Sequence, residues 1–578
     1  MKTRVILIFV AVLILGAGFR FYGGNWDQNQ HLHPDERFLT MVANSLSWPS
    51  NLREYLDTDL SPVNPHNRNY NFFVYGTLPV LLVKWVAETL GRGDYINLTL
   101  VGRAMSAVTH IGTLILVYFI GKRLSGRSLT GLTAMFLYAS AVLPIQLSHF
   151  YTVDPYTTFF LTAGLLLTLG RQSRVIAVLL GISVGLAIAT KVSAAIFLPT
   201  VLVATAANFW GKKRLLTALY FLIIFLATAA VVIRFALPYL FSSPDLVPLA
   251  LNQKLVANWR ELKGYDNPAG FFPPALQWVG TMPYVFPLIN LLLWGLGLPL
   301  GIAALAGVAY GIKTLRHNRQ VAIVVFWVVS LFAYQGGQFA KALRYFYPIL
   351  PALSVLAALV MVGWWRKTKF RFAWTLLIIF LLWPVAFISI YSRPHSRVTA
   401  SEWIYQNIPP GSSLAVEHWD DGLPLPLSRY PNFEYQHIQL PLYDPDSPAK
   451  WQEIATKLDQ TDYVLLTSNR LYGSITGLPG RYPATSRYYQ LLFDGALGFA
   501  KIAEFTSRPN LPVPFIKLCL TPSLVRYGWI ARKVQDCPAT GLNIVDDYGD
   551  ETFTVYDHPK VIILQKINPA DYLKLLVK

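Results

Sequence analysis

The chain has 578 residues, of which 54% are hydrophobic and 14% are charged, and its mean hydropathy is +0.40. A composition this apolar excludes an ordinary soluble protein of this size and indicates a protein embedded in a bilayer. The formal net charge of +18 would suit nucleic acid, but the basic residues are grouped in short breaks between apolar runs. We therefore predict no nucleic-acid partner and explain the charge by membrane topology.

The basic breaks contain no Asp or Glu, and such basic breaks are typical of loops on the cytoplasmic side of a cell (inner) membrane. With the N-terminal pair they carry the following residues: Lys2, Arg4, Lys122, Arg123, Arg127, Arg171, Arg174, Lys212, Lys213, Arg214, Lys313, Arg316, Arg319, Arg366, Lys367, Lys369 and Arg371. Their alternation predicts a multi-pass protein with a cytoplasmic N-terminus and a C-terminal domain outside.

The first apolar run, Val5 to Gly18, resembles a signal peptide but lacks a small-x-small cleavage site, so we interpret it as a retained first helix. Runs of about 20 residues are needed to cross a core of about 30 Å. The sequence predicts about eleven crossings, at residues 4–20, 103–121, 129–147, 156–170, 175–190, 193–210, 215–237, 285–310, 321–335, 345–363 and 373–391.

A further apolar run, Phe72 to Leu90, falls within the first outer loop, residues 21–102. Counting it as a crossing would invert every later loop and place the basic breaks outside. We expect it to form helix that lies at the membrane interface. A twelfth crossing is the alternative.

The character of the chain changes after Tyr391, which divides it into a membrane domain, 1–391, and an outward soluble domain, 392–578. The second domain is rich in Pro and Asp and has strand-like runs at 463–467 and 561–565 and a helical stretch at 451–458, which predicts an α/β fold. Both cysteines, Cys519 and Cys537, lie in it. They form either a disulfide or two buried thiols.

The acidic residues of the membrane half all fall on the predicted outer side. They are Asp27, Asp35, Glu36, Glu54, Asp57, Asp59, Glu88, Asp94, Asp154, Asp245, Glu261 and Asp266. Ionisable groups at membrane depth are costly unless they are paired or face water, so those near helix ends are candidates for function. We select Asp35, Glu36 and Asp154 as candidate catalytic residues.

Basic residues accompany these carboxylates near the predicted outer helix ends: Arg103, Lys191, Arg234, Lys341 and Arg344. A carboxylate can take a proton from an acceptor, and cations can hold a phosphate leaving group, so the set suits transfer of a sugar from a lipid phosphate. Alternatives remain for several residues. Arg103, Lys191 and Arg234 could be interface anchors, Asp35 and Glu36 a helix-dipole pair, and His33 and His149 structural histidines.

These features, in this order, resemble the GT-C glycosyltransferases, specifically the family 39 group that includes protein O-mannosyltransferases and the aminoarabinose transferase of lipid A. The resemblance rests on Asp35-Glu36 after the first span, Arg103 in Val-Gly-Arg-Ala-Met-Ser-Ala, Ser-His-Phe-Tyr-Thr-Val-Asp-Pro at 148–155, Ala-Thr-Lys at 189–191, Arg-Tyr-Phe-Tyr-Pro-Ile-Leu-Pro at 344–351 and the segment 400–411. It implies an inverting transfer from a polyprenyl-phosphate sugar to an acceptor outside the membrane.

The resemblance also implies roles for single residues. Asp35 would be the catalytic base, Glu36 would orient the acceptor or the local network, and Asp154 would be a second acidic residue at the site. The donor phosphate would be held by Arg103, Arg344 and Lys191, with Lys341 and Tyr345 beside them. Apart from the resemblance, we keep His33, His149 and Arg234 as candidates for contacting the acceptor or completing the network. The implied partners are the lipid-linked sugar, membrane lipid and an unidentified glycolipid, polysaccharide or protein.

Some features depart from the family pattern. Thr77 stands where relatives with a Lys-Pro-Pro-Leu stretch place a lysine near the lipid phosphate. The sequence requires no cofactor, although a divalent cation at Asp35 and Asp154 is an open alternative.

Two other functions compete with transfer: a transporter or flippase of lipid-linked saccharides, and a carbohydrate-binding scaffold with an inactive membrane base.

Overall fold

The structure is a computed structural model that describes residues 3–209, 215–245, 250–369, 371–431, 434–521 and 540–576. Lys2, Lys212, Lys213, Arg214 and Cys537 of the sequence analysis lie outside the described residues. Cys519 is disulfide-bonded.

The N-terminal two thirds of the chain are helical. The α-helices are α1 Thr3–Phe21, α2 Pro34–Ser45, α3 Leu52–Leu56, α4 Leu78–Thr89, α5 Tyr95–Ser125, α6 Ser128–Ala139, α7 Val142–Ser148, α8 Asp154–Thr168, α9 Arg174–Thr190, α10 Leu198–Phe209, α11 Leu215–Ala236, α12 Gln253–Gly264, α13 Val285–Asn290, α14 Leu298–Thr314, α15 Arg319–Gly336, α16 Leu350–Lys367, α17 Ala373–Ile388 and α18 Ser396–Asn407. Short 3₁₀ or π segments extend or connect several of them, including Val192–Phe197, Leu343–Ile349 and Ser389–Ser392.

Every predicted crossing lies on one of these helices or on a pair of them, and the protein is a polytopic membrane protein. Within the described ranges, seven helical stretches are long and apolar enough to cross a bilayer, or eight if the bent pair α6–α7 counts as one span. The other predicted crossings fall on α8, α9 and the α13–α14 region, which are shorter. A 15-residue helix such as α8 rises only about 23 Å, so the number eleven stays a prediction. The run at 72–90 forms α4, a helix of 12 residues.

The bent pair has a local cause. α6 and α7 meet at 61°, and Pro144 in the first turn of α7 cannot donate to the carbonyl of Ser140. Arg20, which is 1% exposed, donates to the carbonyls of Tyr138 and Ala139 at 3.2 and 3.3 Å. A cation at the C-terminal end of α6 thus bonds the carbonyl of Ala139 and adds a donor to that of Tyr138, which also accepts from the Ala141 amide at 3.4 Å.

The C-terminal domain contains the sheets. Its strands are β1 Ser413–Glu417, β2 Gln436–Leu440, β3 Tyr463–Leu466, β4 Phe499–Phe505, β5 Asn510–Leu511, β6 Lys517–Leu520, β7 Gly541–Ile544 and β8 Val561–Lys566, and its helices are α19 Pro448–Asp459, α20 Arg470–Ile475, α21 Pro483–Phe493, α22 Glu551–Thr554 and α23 Tyr572–Leu576. The large sheet has the order β2-β1-β3-β8-β4, and the small one β5-β7-β6. β3, β8 and α19 form where the sequence predicts two strands and a helix.

Alternate residues of the large sheet face two different cores, as the strand pleat requires. Leu465 and Ile563 pack in the same core as the membrane helices. Their neighbours Val464 and Ile562 pack instead with α19 and α21. One face of the sheet is therefore docked on the membrane half, and the other is covered by its own helices.

Candidate active site

Asp35 forms an ion pair with Arg344. Asp35 lies in the first turn of α2, which Pro34 begins and His33 caps by accepting from the Glu36 amide at 3.3 Å. Arg344 lies in the 3₁₀ turn before α16, and its Nη1 donates to Asp35 Oδ2. The two side chains keep 24% and 19% of their surface exposed, respectively. The pair is therefore partly exposed, unlike a fully buried core pair.

The charge of Asp35 is fixed by this partner. Burial alone would raise the pKa of Asp35, but the Arg344 guanidinium, with smaller contributions from His33 and Lys191, lowers it to about 2. Asp35 is consequently ionised at neutral pH. Arg344 also retains donor capacity, because its Nε has no hydrogen-bond partner within the described ranges.

A second ion pair joins Asp154 and Lys191. Asp154 begins α8, and Lys191 directly follows α9. Lys191 Nζ donates to Asp154 Oδ1 at 2.8 Å, and the lysine side chain is 26% exposed. The fold thus places two carboxylate–cation pairs from four separate segments of the chain in one region.

Tyr345 and Tyr75 connect the two pairs. Lys191 Nζ lies 5.3 Å from the ring centre of Tyr345, and the Arg344 guanidinium carbon lies 5.7 Å from it. Burial raises the pKa of Tyr75 well above its usual value, and the nearby carboxylates of Asp35 and Asp154 add to this effect. We call Asp35, Arg344, Asp154, Lys191 and Tyr345 the charge cluster.

Arg103 is not part of the charge cluster. Five hydrogen bonds, two to Glu36, two to Asp27 and one to the Gly24 carbonyl, account for its five N–H groups. Glu36 is fully buried, and its Oε2 also accepts from the Tyr151 amide at 2.8 Å. The geometry does not fit the expected phosphate-binding role of Arg103, because all its N–H groups donate to the protein. For Glu36 it agrees with the second of the two expected roles, which is to orient the local network.

Asp27 is the residue that the sequence analysis left out of the site. Its charge in a short loop after the first span was visible, but nothing in the sequence paired it with Arg103, 76 residues away. The Arg103 guanidinium carbon also lies 4.8 Å from the ring centre of Trp26. This buried network holds the start of the first loop against α5.

The two candidate histidines pack against aromatic rings. The ring of His33 lies 4.4 Å from Phe150 and 4.3 Å from Tyr556, centre to centre, and burial lowers the pKa of His33 to about 4. His149 stacks on Tyr391 at 3.8 Å, and its two ring nitrogens contact the carbonyls of Ile145 and Tyr22 at 2.8 Å each. Both histidines have structural partners, and His33 lies beside Asp35.

Two predicted cations lie elsewhere. Arg234 donates to the carbonyls of Ser243, Pro244 and Asp245 at 3.0, 2.7 and 3.3 Å, so it closes the loop that follows α11. Lys341 is 3% exposed, and its Nζ lies 5.7 Å from the ring centre of Phe339. Neither contacts Asp35 or Asp154 in the described structure.

The C-terminal domain covers the charge cluster. Tyr556 packs on His33 and lies close enough to Arg344 and Asp35 to interact with their charges. Arg37, two residues after Asp35, donates to Asp421 Oδ1 at 3.1 Å. No sequence signal could reveal these contacts, because the partners are hundreds of residues apart.

Metal ligands are not assembled at this position. Among the described residues no three His, Cys, Asp or Glu side chains lie together to hold a metal ion. The two carboxylates that the sequence offered for a cation, Asp35 and Asp154, each have a basic partner instead.

Residues 79–243 match the model of the family described as dolichyl-phosphate-mannose-protein mannosyltransferase. Comparison with curated protein sequences finds no match. Among solved structures, the chain is similar to the oligosaccharyltransferase of Archaeoglobus fulgidus in its apo form, with a TM-score of 0.51, 14% identity and coverage of 85% of this chain and 73% of that one. The predicted GT-C resemblance is confirmed. The protein is a membrane protein with the GT-C glycosyltransferase fold.

Two further GT-C structures are similar at lower scores. One is ArnT from Cupriavidus metallidurans bound to undecaprenyl phosphate, with a TM-score of 0.42, 15% identity and coverage of 80% and 93% of the two chains. The other is the Saccharomyces cerevisiae protein O-mannosyltransferase Pmt1-Pmt2 complex bound to the sugar donor, with a TM-score of 0.32, 17% identity and coverage of 48% and 37%.

Proposed function

We propose that this protein transfers a sugar from a polyprenyl-phosphate donor to an acceptor on the outer face of the membrane, with inversion at the sugar carbon. The observation that carries the proposal is the charge cluster, in which an ionised Asp35 lies beside an arginine with free donor capacity. The family match covers residues 79–243, which include Asp154 and Lys191. The expected orientation places the cluster outside.

In the proposed reaction the acceptor hydroxyl oxygen attacks the anomeric carbon as the bond from that carbon to the phosphate oxygen breaks. The hydroxyl proton moves to the Asp35 carboxylate, and the bond electrons leave with the lipid phosphate. A proton transfer of this kind contributes about 10²- to 10⁴-fold to rate. Arg344 and Lys191 stabilise the charge that develops on the leaving phosphate.

Lys191 fits this role because of its neighbours. The Gly76 amide donates to the Thr190 carbonyl at 3.0 Å, and a Cβ on Gly76 would lie 1.8 Å from the Ala189 carbonyl oxygen. This close approach packs the residue before Thr77, which stands in place of the family lysine, against the end of α9, which Lys191 follows. We propose that Lys191 supplies the positive charge that Thr77 lacks. The A. fulgidus protein has been solved with a dolichol-phosphate, which is consistent with a lipid-phosphate donor.

The test uses purified protein and a panel of polyprenyl-phosphate sugars, with donor consumption and free lipid phosphate as readouts. We expect the wild type to consume at least one donor and Asp35→Asn to lose about 10²- to 10⁴-fold of that rate. Asp59→Asn is the matched control, because Asp59 lies in the same loop and is exposed to solvent. The control should keep the wild-type rate.

Two outcomes would contradict the proposal. Full activity of folded Asp35→Asn would remove Asp35 from the mechanism. Movement of lipid-linked sugar across vesicle membranes without any donor cleavage would favour the flippase alternative instead.

A further inference from the structure

The loop between β5 and β6, residues 512–516, exposes a cluster of apolar side chains. Phe515 is fully exposed, at 102% of its reference surface, and Val513 and Ile516 are exposed at 37% and 45%. Leu518 and Leu520 of β6 extend the apolar surface along the strand. Among the described residues nothing covers these contiguous side chains, which indicates an interaction surface rather than scattered exposure.

The loop lies next to the lipid-facing side of α17. The exposed residues of α17 recur every three or four positions, at Trp374, Ile378, Leu382 and Val385, while Trp383 and Phe387 pack inside. Such a stripe on a membrane-spanning helix faces lipid. Ser389 follows Val385 by one turn, and its Oγ accepts from the Asn510 amide at the start of β5, at 3.0 Å.

A second contact fixes the same position. Arg393, one turn after Ser389, donates to the Arg508 carbonyl two residues before β5. β5 is thus attached at the C-terminal end of α17, on its lipid-facing side. The apolar loop that follows β5 lies where this helix emerges from the bilayer.

The backbone of the loop suits an interfacial position. Pro512 and Pro514 have no N–H group to desolvate. The amides of Val513 and Ile516 donate to the carbonyls of Leu511 and Val513, at 2.8 and 3.5 Å. A loop of five residues that starts and ends at the sheet can extend at most about 8 Å from it. This distance matches the 5–10 Å depth at which apolar groups lie in a membrane interface.

The charge at the end of the loop agrees with this placement. Lys517 follows the loop and is exposed. A basic side chain beside an apolar tip is suited to reach phospholipid headgroups while the tip lies deeper. Acidic residues are absent from the stretch 508–520 of the sequence.

We propose that residues 512–516 insert into the membrane interface beside the C-terminal end of α17 and bind the phospholipid surface. The C-terminal domain is then held at the membrane by a lipid contact of its own, in addition to its docking on the helices. This inference does not depend on the proposed transferase activity.

The experiment places the photoreactive residue p-benzoylphenylalanine at position 515 of the full chain, reconstituted in phospholipid nanodiscs. The substitution replaces one exposed aromatic ring by another, so folding should be retained. A second variant carries the probe at Ile516, and the control carries it at His437, an exposed residue of β2. Adducts are identified by mass spectrometry after irradiation.

We expect phospholipid adducts at 515 and 516 at a yield at least several-fold above that at 437. Cross-links from 515 and 516 to the chain itself would show that the protein covers the loop and would overturn the proposal. Equal lipid yields at all three positions, or no lipid adducts at any of them, would overturn it as well.

Discussion

Two adjacent carboxylates, Asp35 and Glu36, have opposite surroundings. Glu36 is sealed against Arg103 and the Tyr151 amide, whereas Asp35 keeps a quarter of its side-chain surface exposed beside Arg344. The helical turn explains the difference, because successive residues of α2 point about 100° apart. One of the pair therefore stays partly exposed, as the proposed function requires, while its neighbour fixes the loop.

Arg103 should contribute to stability rather than to donor binding. Replacing it in Arg103→Met leaves Asp27 and Glu36 buried without their partner, which costs about 3–5 kcal/mol in comparable buried pairs. We expect a clearly lower midpoint of thermal unfolding in detergent, measured by intrinsic fluorescence.

The control for this prediction is Arg53→Met, since Arg53 is an exposed residue of α3. It should leave the midpoint unchanged. An unaltered midpoint in Arg103→Met, together with a raised KM for the lipid donor, would instead indicate that Arg103 binds the donor phosphate.

At the scale of single helices, the break between α6 and α7 directs α7 and the loop after it toward the charge cluster. Pro144 explains why the helix stops, and Arg20 donates to the carbonyls of Tyr138 and Ala139 at its end. Sequence patterns predict a single crossing at 129–147, because hydropathy does not distinguish a straight span from a bent one.

Arg20→Met should destabilise the protein by about 1–3 kcal/mol, because the Ala139 carbonyl at the end of α6 loses its Arg20 donor in apolar surroundings. Arg4→Met, at the exposed start of the same helix, should have little effect. Thermal unfolding in detergent measures both. Equal midpoints for the two variants would show that the Arg20 bonds contribute nothing net.

The sequence could predict most of the helices and some strands, but not how the charged side chains pair. Apolar runs, basic breaks and the change of composition at Tyr391 are local signals, so the helices, β3, β8 and α19 could be located. Asp35, Asp154, Lys191 and Arg344 could be selected because charges at helix ends are costly. Which cation binds which carboxylate depends on helix packing, so the pairing of Arg103 with Asp27 and Glu36 could not be predicted.

At the scale of the whole molecule, the C-terminal domain is joined to the membrane half by a buried ionic group. His558 contacts Asp546 at 2.8 Å and Asp557 at 2.5 Å. Asp557 also accepts from Tyr391 and from Gln146 of α7. Burial would lower the pKa of His558, but the two carboxylates outweigh it and raise the pKa to about 10.

This pKa predicts how stability depends on pH. The pKa is raised on folding from about 6.5, so the stabilisation from His558 is complete below about pH 6.5 and is lost as pH rises toward 10. We expect the unfolding midpoint of the wild type to fall between pH 7 and 10 and the fall to be smaller in His558→Gln.

His437→Gln is the matched control, since His437 is an exposed histidine of the same domain. It should retain the pH dependence of the wild type. The same slope in His558→Gln would show that other groups cause the fall.

The contact between His33 and Tyr556 also determines when this part of the structure can be completed during synthesis. The two residues are 523 positions apart in the chain, so a ribosome working at roughly 5–20 residues per second needs about 30–100 s between them. During that interval Asp35 is already made but its cover is not. The packing of Tyr556 on His33 beside the charge cluster is therefore among the last events of biogenesis, and a chain that stops before residue 556 would insert its helices yet lack this contact.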